Sequence, residues 1–381
     1  MHHEEPVSVP ASPSAELPGR ICRAIADAGG WLPFDRFMEM ALYTPGLGYY
    51  ANPSRKFGAL PGSGSDFVTA PELTPLFGQA LARQVRQALT ATGTSQVWEF
   101  GAGSGMLAAQ LLQSLGSACT GYHIVDLSGV LRERQRETIA RLAPEAAGRV
   151  QWHDRLPEEI RGVVVGNEVL DAMPVQLLHF DGSQWLERGV VAHGDNGFAW
   201  GDRPTALRPP VEGPHTPGTT TEVHLQADAF LRTLGALLTR GAAFFLDYGF
   251  PEREYYHPQR SGGTLMCHHA HRADTDPLAD VGYKDITAHV NFTGVALAGQ
   301  DAGLQVIGYT SQARFLINCG LLDLLPPAEA QDAARLRQVA AVQKLVAEHE
   351  MGELFKVIGF CRGAALDDAL GFADGDRTHT L

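Results

Sequence analysis

Cysteines, basic residues and long apolar runs are scarce in this sequence. Its 381 residues include five cysteines, which are widely spaced and form no CxxC pair, so they predict neither a disulfide framework nor a zinc site. No stretch approaches the roughly 18 consecutive apolar residues of a membrane-spanning helix, so we expect no membrane insertion. The 43 acidic residues outnumber the 30 basic ones and give a formal net charge of -13, which argues against nucleic acid as a partner. This charge fits a small ligand or a basic protein partner.

The N-terminal segment MHHEEPVSVPASPSAELPG lacks the features of a targeting sequence. It has no basic region followed by an apolar one, and its first arginine is Arg20, unlike a secretory signal or an arginine-rich transit peptide. Its proline, serine and glutamate residues cannot bury enough apolar surface to offset the entropy of the chain. We therefore predict a disordered arm over residues 1–16 and a cytoplasmic protein.

Two different patterns follow along the chain. Residues 17–95 contain helical segments separated by loops rich in proline and glycine, which predicts a helical N-terminal cap. Over residues 96–381, short apolar runs alternate with amphipathic stretches, as in a parallel sheet with crossover helices. The predicted strands are QVWEF, YHIVD, RVQWH, GVVVGN, AAFFLDY, LQVIGYT and FKVIGFCRG. Residues 175–222 interrupt this order with Asp-Gly and Asn-Gly turn signals, which predict an antiparallel hairpin.

A glycine-rich loop joins the first predicted strand of the sheet to a helix. Strand QVWEF leads into GAGSG at residues 101–105, where glycines let the backbone turn tightly and approach a ligand without a Cβ in the way. The next strand ends at Asp126, where a carboxylate can bind both hydroxyls of a ribose. This pattern predicts a ligand that contains adenosine, and we expect Ala102 and Leu127 to contribute to the same site.

Two cofactor classes share this arrangement, and neighbouring residues distinguish them. A dinucleotide fingerprint has a third small residue at position 106, where this sequence has Met106. Glu99, just before the loop, would repel a pyrophosphate but suits the positively charged sulfonium and amino group of S-adenosylmethionine. We therefore favour S-adenosylmethionine over a nicotinamide cofactor.

Polar residues also follow the third and fourth strands of the sheet. Asp154 fits a contact with the exocyclic amine of an adenine and a solvated residue at a strand end equally well. The fourth strand runs into Asn167, Glu168 and Asp171, at the edge where open α/β sheets bind their ligands. On a helical turn, the two carboxylates share one face and can hold a cationic guanidinium or amine in line with a transferable methyl group. The alternative is that Asp171 caps a short helix and Glu168 is solvated.

Longer motifs, taken in order, resemble the MidA-type S-adenosylmethionine-dependent methyltransferases. They cover almost all of the chain beyond the first arm and are FMEMALYTPGLGYY, SDFVTAPELTPLFG, VWEFGAGSG, YHIVDLSGVLRERQ, VVVGNEVLDAMPVQLL, FFLDYG, GTLMCHHAHR, DITAHVNFT, TSQARFLINCG and MGELFKVIGF. The resemblance implies an α/β, Rossmann-like class I fold with seven strands and a helical N-terminal extension. It implies cofactor contacts at Glu99, Gly101, Gly103, Gly105, Asp126 and Asp154, with Asn167 and Glu168 at the reactive end. The family usually has glutamate where this chain has Asp126.

The resemblance also implies a function. The family includes a mitochondrial arginine methyltransferase that serves as an assembly factor for respiratory complex I and is linked to symmetric dimethylation of a core subunit. By resemblance, this chain is a protein arginine N-methyltransferase whose partner is a complex I core subunit or a similar protein. Two alternatives stay open: a methyltransferase for another nitrogen or oxygen acceptor, and an assembly chaperone that binds the cofactor without turnover.

The remaining polar residues carry less specific signals. Glu72 in the cap and His271 in GTLMCHHAHR are candidates for substrate binding. Cys267 lies close to several histidines, but adjacent histidines cannot easily converge on one ion, so we predict no metal site. Asp247, at the end of the fifth strand, fits a functional residue and a turn residue equally well. The apolar stripe of the helix predicted over residues 327–350 is typical of a core contact or a homodimer contact.

Overall fold

Residues 16–52, 69–126, 128–194, 197–269, 272–327 and 333–381 are described by a computed structural model of the chain. Almost all of the predicted N-terminal arm lies outside these residues. The predicted site residues Leu127 and His271 also lie outside them.

Helices and strands alternate along most of the described chain. The helices are α1 (Glu16–Asp27), α2 (Phe34–Tyr43), α3 (Ala70–Leu73), α4 (Pro75–Thr92), α5 (Met106–Leu115), α6 (Gly129–Leu142), α7 (Leu225–Leu237), α8 (Glu252–Tyr255), α9 (Phe292–Asp301), α10 (Gln312–Asn318), α11 (Ala333–Val346) and α12 (Met351–Leu354). The strands are β1 (Leu32–Pro33), β2 (Gln96–Phe100), β3 (Gly121–Val125), β4 (Val150–His153), β5 (Ile160–Asn167), β6 (Gln176–Phe180), β7 (Trp185–His193), β8 (Gly197–Pro204), β9 (Thr220–Val223), β10 (Leu238–Phe250), β11 (Met266–His269), β12 (Arg272–Asp274), β13 (Asp285–Thr287), β14 (Val290–Asn291), β15 (Gln305–Ser311) and β16 (Phe355–Arg362). Of the helices in these ranges, none is both long and apolar enough to cross a membrane.

The central sheet has the strand order β15-β16-β10-β5-β2-β3-β4, with β14 beside β10. Strands β10, β5, β2, β3 and β4 pair in parallel, whereas β16 is antiparallel to both of its neighbours. All seven strands predicted from the sequence are present in this sheet. Their order is that of the Rossmann-like class I fold.

Helices cover both faces of the central sheet. One face packs against α4, α5, α6, α10 and α11, and the other packs against α7 and α9. Strand β5 contributes to both faces, because Val163 and Val165 point to one and Val164 points to the other, and all three are fully buried. With both faces covered, the carboxyl ends of the parallel strands form the edge at which loops can bind a ligand.

Helix α4 packs in the main core, although the sequence assigned it to the N-terminal cap. The helix begins as predicted, because the Thr74 hydroxyl accepts a hydrogen bond from the Leu76 N–H at 3.3 Å and Pro75 occupies the first turn. It ends at Gly93, which has a left-handed φ of 63°. Its apolar stripe packs against α5 and against strands β5 and β10. The predicted boundary at residue 95 therefore does not coincide with a break in packing.

The cap contains a sheet as well as helices. Strands β1, β7, β6 and β9 pair in that order, with β8 beside β7, so the hairpin predicted over residues 175–222 is an antiparallel sheet that β1 joins. Apolar residues of α1, α2 and this sheet form one cluster with residues between 265 and 288. Within the described part of residues 17–95 the elements are helices apart from the two-residue strand β1, so the predicted helical N-terminal extension is confirmed, and the sheet comes from the insertion. The N-terminal helices bury their apolar faces against strands that come from distant parts of the chain.

The apolar stripe near the C-terminus is divided between core and surface. Within α11, Val342 and Leu345 are buried in the main core, whereas Leu336 is 63% exposed. The buried part of the stripe is thus a core contact. A homodimer contact stays a prediction.

We predict that Gln110→Met lowers the stability of the protein. The Gln110 side chain accepts a hydrogen bond from the Gly78 N–H at 3.1 Å and donates one to the Pro71 carbonyl at 2.8 Å, and it is buried. Methionine fills the space but pairs with neither backbone group, so we expect the free energy of unfolding to fall by about 1–3 kcal/mol. Urea titration measures the change, with Gln343→Met at an exposed position of α11 as the control. An effect no larger than that of the control would contradict the assignment.

Candidate active site

A cavity of about 950 Å³ opens at the carboxyl ends of the parallel strands. Its walls come from the cap, the loop after β2, the connection between β3 and α6, and the turn after β5. The volume lies in the upper part of the range for small-molecule sites, so there is room for a cofactor and part of a second molecule. Most of the residues predicted from the sequence line this cavity, namely Glu99, Gly101, Ala102, Gly103, Asp126, Asn167, Glu168 and Asp171.

The loop after β2 requires its glycines for both conformation and space. Gly101, Gly103 and Gly105 have φ angles of 64°, 51° and 81°, in the left-handed region that side chains disfavour. A Cβ on Gly101 would lie 2.9 Å from Cγ2 of Val169, and a Cβ on Gly105 would lie 2.9 Å from Cα of Gln135. Gly101 and Gly103 line the cavity, whereas Gly105 lets the start of α5 approach α6 closely.

Two acids lie beside this loop, the buried Glu99 and the half-buried Asp126. Glu99 accepts a hydrogen bond from the Tyr122 hydroxyl at 2.6 Å, and burial raises the pKa of Glu99 to about 7. Asp126 accepts hydrogen bonds from the Ser128 N–H at 2.8 Å and from Gln135 Nε2 at 2.7 Å. Burial also raises the pKa of Asp126, although these two donors oppose the rise. Both carboxylates favour a ligand that brings hydroxyl donors or positive charge.

The side chain of Asp247 forms the turn that follows β5. Its Oδ2 atom accepts hydrogen bonds from the N–H groups of Val169, Leu170 and Asp171, at 3.0, 2.8 and 3.4 Å. Within this turn Glu168 has a φ of 55°, which residues other than glycine rarely adopt. The helical turn predicted for Glu168 and Asp171 was wrong, because backbone N–H groups bond to Asp247 instead. Both carboxylates nevertheless line the cavity.

Burial raises the pKa values of the acids at this turn. Glu168 faces the cavity but is otherwise enclosed, and burial together with repulsion from Asp247 raises its pKa to about 8. The pKa of Asp171 rises well above its usual range, mainly through burial and also through repulsion from Asp247 and Glu168. Without a ligand, protons reduce the charge of this cluster. A cationic ligand would stabilise the charged forms and displace those protons.

Two oxygen atoms at this turn have no hydrogen-bond partner among the residues that the structure describes. They are Oδ1 of Asn167, whose Nδ2 atom donates to Glu168 Oε1 at 2.8 Å, and Oδ1 of Asp171, a residue that is 5% exposed. Both residues line the cavity. Because buried acceptors are costly without a donor, these oxygens favour a ligand that carries N–H groups.

Three residues on the cap side of the cavity were missed by the sequence prediction. The Tyr50 hydroxyl donates to Asp285 Oδ1 at 2.8 Å, and the Tyr43 hydroxyl donates to the Ala172 carbonyl at 2.8 Å. The two tyrosine rings stack with centroids 5.6 Å apart. Their motifs, FMEMALYTPGLGYY and DITAHVNFT, resemble the family, but Tyr50 and Asp285 are 235 positions apart, so sequence spacing does not reveal the contact.

Other predicted site residues lie outside the cavity lining. Glu72 accepts a hydrogen bond from the Ser104 hydroxyl of the glycine loop, and its contact with substrate stays a prediction. Asp154 is exposed, whereas the next two residues, Arg155 and Leu156, line the cavity. The contact between Asp154 and adenine stays a prediction. In the ranges given above for the structure, no group of three or more His, Cys, Asp or Glu side chains is arranged to hold a metal ion.

The fold and the site together define a class I S-adenosylmethionine-dependent methyltransferase. Residues 80–310 match a family described as S-adenosyl-L-methionine-dependent methyltransferases. A crystal structure from Burkholderia thailandensis with bound S-adenosyl-homocysteine is 52% identical, with a TM-score of 0.93, and the match covers 99% of this chain and 100% of that chain. The chain belongs to the MidA-type family of these methyltransferases, and its cofactor is S-adenosyl-L-methionine.

Curated relatives are named protein arginine methyltransferase NDUFAF7, mitochondrial. The Danio rerio protein is 26% identical over 376 residues, which cover 89% of this chain and 85% of the relative. The Homo sapiens protein is 25% identical over 356 residues, which cover 84% of this chain and 77% of the relative. Because these relatives are named mitochondrial, the prediction of a cytoplasmic protein is contradicted.

We predict that Gly103→Val prevents binding of S-adenosylhomocysteine while the protein stays folded. A β-branched residue at a φ of 51° is strained, and this strain would distort the part of the loop that lines the cavity. We expect the dissociation constant in titration calorimetry to rise roughly 100-fold or more, which is about 2.8 kcal/mol. Gly213→Val, where a Cβ would meet no atom within 4 Å, is the matched control. Wild-type affinity in a folded Gly103→Val protein would refute the role of this loop.

We predict that Glu168 makes the ligand-free protein less stable as the pH rises. Glutamate has an ordinary pKa of 4.5, which we take for the unfolded chain, and Glu168 in the folded protein has a pKa of about 8. The folded state therefore keeps a proton that the unfolded chain has released. This contribution to stability is complete below pH 4.5 and is lost as the pH rises through about 8.

Urea titrations between about pH 6 and pH 9 measure this effect, because one such group changes stability by up to about 1.4 kcal/mol per pH unit. We expect Glu168→Gln to decline less with pH than the wild type. Glu158→Gln, at an exposed position, should follow the wild type. Parallel curves for wild type and Glu168→Gln would contradict the raised pKa.

Proposed function

We propose that the protein transfers the methyl group of S-adenosylmethionine to a side-chain nitrogen of arginine in a partner protein. The observation that carries this proposal is the pair of unpartnered acceptors, Asn167 Oδ1 and Asp171 Oδ1, beside Glu168. A guanidinium group presents several N–H donors and a positive charge in one plane. It would therefore donate hydrogen bonds to both oxygen atoms and balance the negative charge of this turn.

The charge of the cavity also favours a cationic acceptor. Among the described residues that line it, Arg155 is the single basic one, and the acidic ones are Glu39, Glu99, Asp126, Glu168, Asp171 and Asp285. An anionic acceptor would be repelled by these carboxylates. A neutral hydroxyl would leave the acids of the turn protonated, whereas a cation would stabilise their ionised forms.

In this proposal the cofactor lies across the glycine loop. Gly101 and Gly103 leave room for the ligand, Asp126 binds the ribose hydroxyls, and Glu99 provides negative charge for the positively charged end. When bound, S-adenosylmethionine supplies an activated methyl group on a positively charged sulfur. Asn167 and Glu168 line the same cavity, which supports a role for them in holding the acceptor near that group.

Glu168 would orient the acceptor nitrogen and localise its charge. The nitrogen atoms of a guanidinium are weak nucleophiles because their lone pairs are delocalised. A carboxylate in contact with the guanidinium favours one distribution of the positive charge over its nitrogen atoms. The enclosed turn also excludes bulk water. With a pKa of about 8, Glu168 is also suited to accept the proton that the nitrogen loses after methylation.

The names of the curated relatives support arginine as the acceptor residue. The family resemblance suggests a core subunit of respiratory complex I, or a similar protein, as the partner. The net charge of -13 suits a partner with a basic surface around the target arginine.

Methyl transfer to captured partners tests the function. Proteins retained by the immobilised chain from its native lysate are eluted and incubated with purified enzyme and labelled S-adenosylmethionine, and labelled sites are mapped by mass spectrometry. We expect methylarginine in molar excess over the enzyme. Label on lysine or on a small-molecule oxygen would identify the other acceptor classes. Less than one methyl group per enzyme would favour a chaperone that binds the cofactor without turnover.

We predict that Glu168→Gln lowers turnover much more than cofactor affinity. Glutamine keeps the shape of the side chain but loses the charge and the capacity to accept a proton, so kcat should fall roughly 100-fold or more. The dissociation constant for S-adenosylhomocysteine should stay within about twofold, because the proposed cofactor contacts lie mainly at other residues. Glu158→Gln is the exposed control. Wild-type turnover in Glu168→Gln would remove Glu168 from the mechanism.

A further inference from the structure

Asp285 is a buried acid on the acceptor side of the cavity. It is the first residue of β13, is 3% exposed and lines the cavity. The Tyr50 hydroxyl donates to its Oδ1 atom at 2.8 Å. Glu168 and Asp171 line the same cavity, and the charge of Asp285 adds to the rise of their pKa values after burial and the nearer carboxylates.

Hydrogen bonds to the backbone carbonyls of this turn hold the cap and the β13 region against it. The Ala288 N–H donates to the Asp171 carbonyl at 3.0 Å, and the Tyr43 hydroxyl donates to the Ala172 carbonyl at 2.8 Å. These contacts place three distant segments around one space. They hold the segment that contains Asp285 close to the turn after β5.

The carboxylates near Asp285 favour a cation in this part of the cavity. Asp285, Glu168 and Asp171 all line it, and a cation there would be attracted to each of the three carboxylates. The unpartnered Oδ1 atom of Asp171, which belongs to the same cavity, independently points to a ligand with N–H donors. A cation that carries N–H groups would meet both requirements.

We propose that Asp285, oriented by Tyr50, is a second acceptor-binding carboxylate, so that the cationic side chain is held between Asp285 and the turn at Glu168 and Asp171. This inference rests on the proposed function. The stacked rings of Tyr43 and Tyr50 lie beside this space and present aromatic surface that favours a guanidinium. Carboxylates from two segments also fit the fork of N–H donors of one guanidinium better than a single acid does.

The cofactor and acceptor parts of the cavity therefore depend on different segments. The glycine loop, Glu99 and Asp126 belong to the central sheet, whereas Tyr43 and Tyr50 belong to the cap. Loss of Asp285 or of the Tyr50 hydroxyl should weaken binding of the acceptor and leave binding of S-adenosylhomocysteine nearly unchanged. A general loss of structure would weaken both.

Two matched analogues of S-adenosylhomocysteine test this separation by titration calorimetry. In both, a tertiary amine replaces the thioether sulfur and carries a short arm, which ends in a guanidinium group in one analogue and in an uncharged urea in the other. For the wild type we expect the guanidinium analogue to bind roughly 10- to 100-fold more tightly than the urea analogue, as for one or two charge-assisted hydrogen bonds. Asp285→Asn should reduce this preference to about threefold or less, and Tyr50→Phe should reduce it in part.

Asp301→Asn, at an exposed position of α9, is the control and should keep the full preference. Affinity for S-adenosylhomocysteine itself should stay within about twofold in every variant, which also shows that each variant is folded. If Asp285→Asn does not fold, the preference of Tyr50→Phe for the guanidinium analogue tests the inference, because this substitution removes only a hydroxyl. A full preference in the folded variants would overturn the role of Asp285 and leave the proposed function intact. If the wild type binds both analogues equally, the proposal of a cationic acceptor is wrong, and this inference is wrong with it.

Discussion

The hydrogen bonds between the Asp247 carboxylate and three successive backbone N–H groups organise the site. They stabilise a turn after β5 in which Glu168 has a left-handed conformation and Asp171 faces the cavity. Such a conformation is unfavourable for glutamate and persists only where surrounding contacts determine it. Because Asp247 ends the buried part of β10, which pairs with β5, the geometry of the turn depends directly on the register of the central sheet.

This arrangement concentrates negative charge in a place with little water. Burial raises the pKa of Glu168, Asp171 and Asp247, so the ligand-free site holds protons that exposed carboxylates would release near neutral pH. A site of this kind discriminates by charge, because a cation restores the ionised forms and an anion does not. The same property makes it suitable for a reaction in which a nitrogen passes through a positively charged state and then loses a proton.

The cap contributes residues to the acceptor end of the cavity and packs against distant segments of the chain. Its apolar cluster combines α1 and α2 with the inserted sheet and with residues near β11 and β13, so none of these segments buries its apolar face alone. Tyr43 and Tyr50 reach the cavity from this cap, and Ser128, beside the predicted ribose-binding Asp126, donates a hydrogen bond to the Tyr50 carbonyl at 2.9 Å. The acceptor end of the cavity is therefore complete only when the cap packs against the sheet.

Local patterns in the sequence determined the strands of the central sheet, the glycine loop, Glu99 within β2 and the acids that follow β3 and β5, because periodicity and turn residues act over a few positions. They also led to Asn167 and Glu168, since parallel strands bring their carboxyl ends to one edge. Only the tertiary structure decided that Tyr50 meets Asp285, that Asp247 shapes the turn, and that Glu72 contacts Ser104. These contacts join segments far apart in the chain, and their partners are selected by the packing of the cap and the sheet, which no spacing within the sequence encodes.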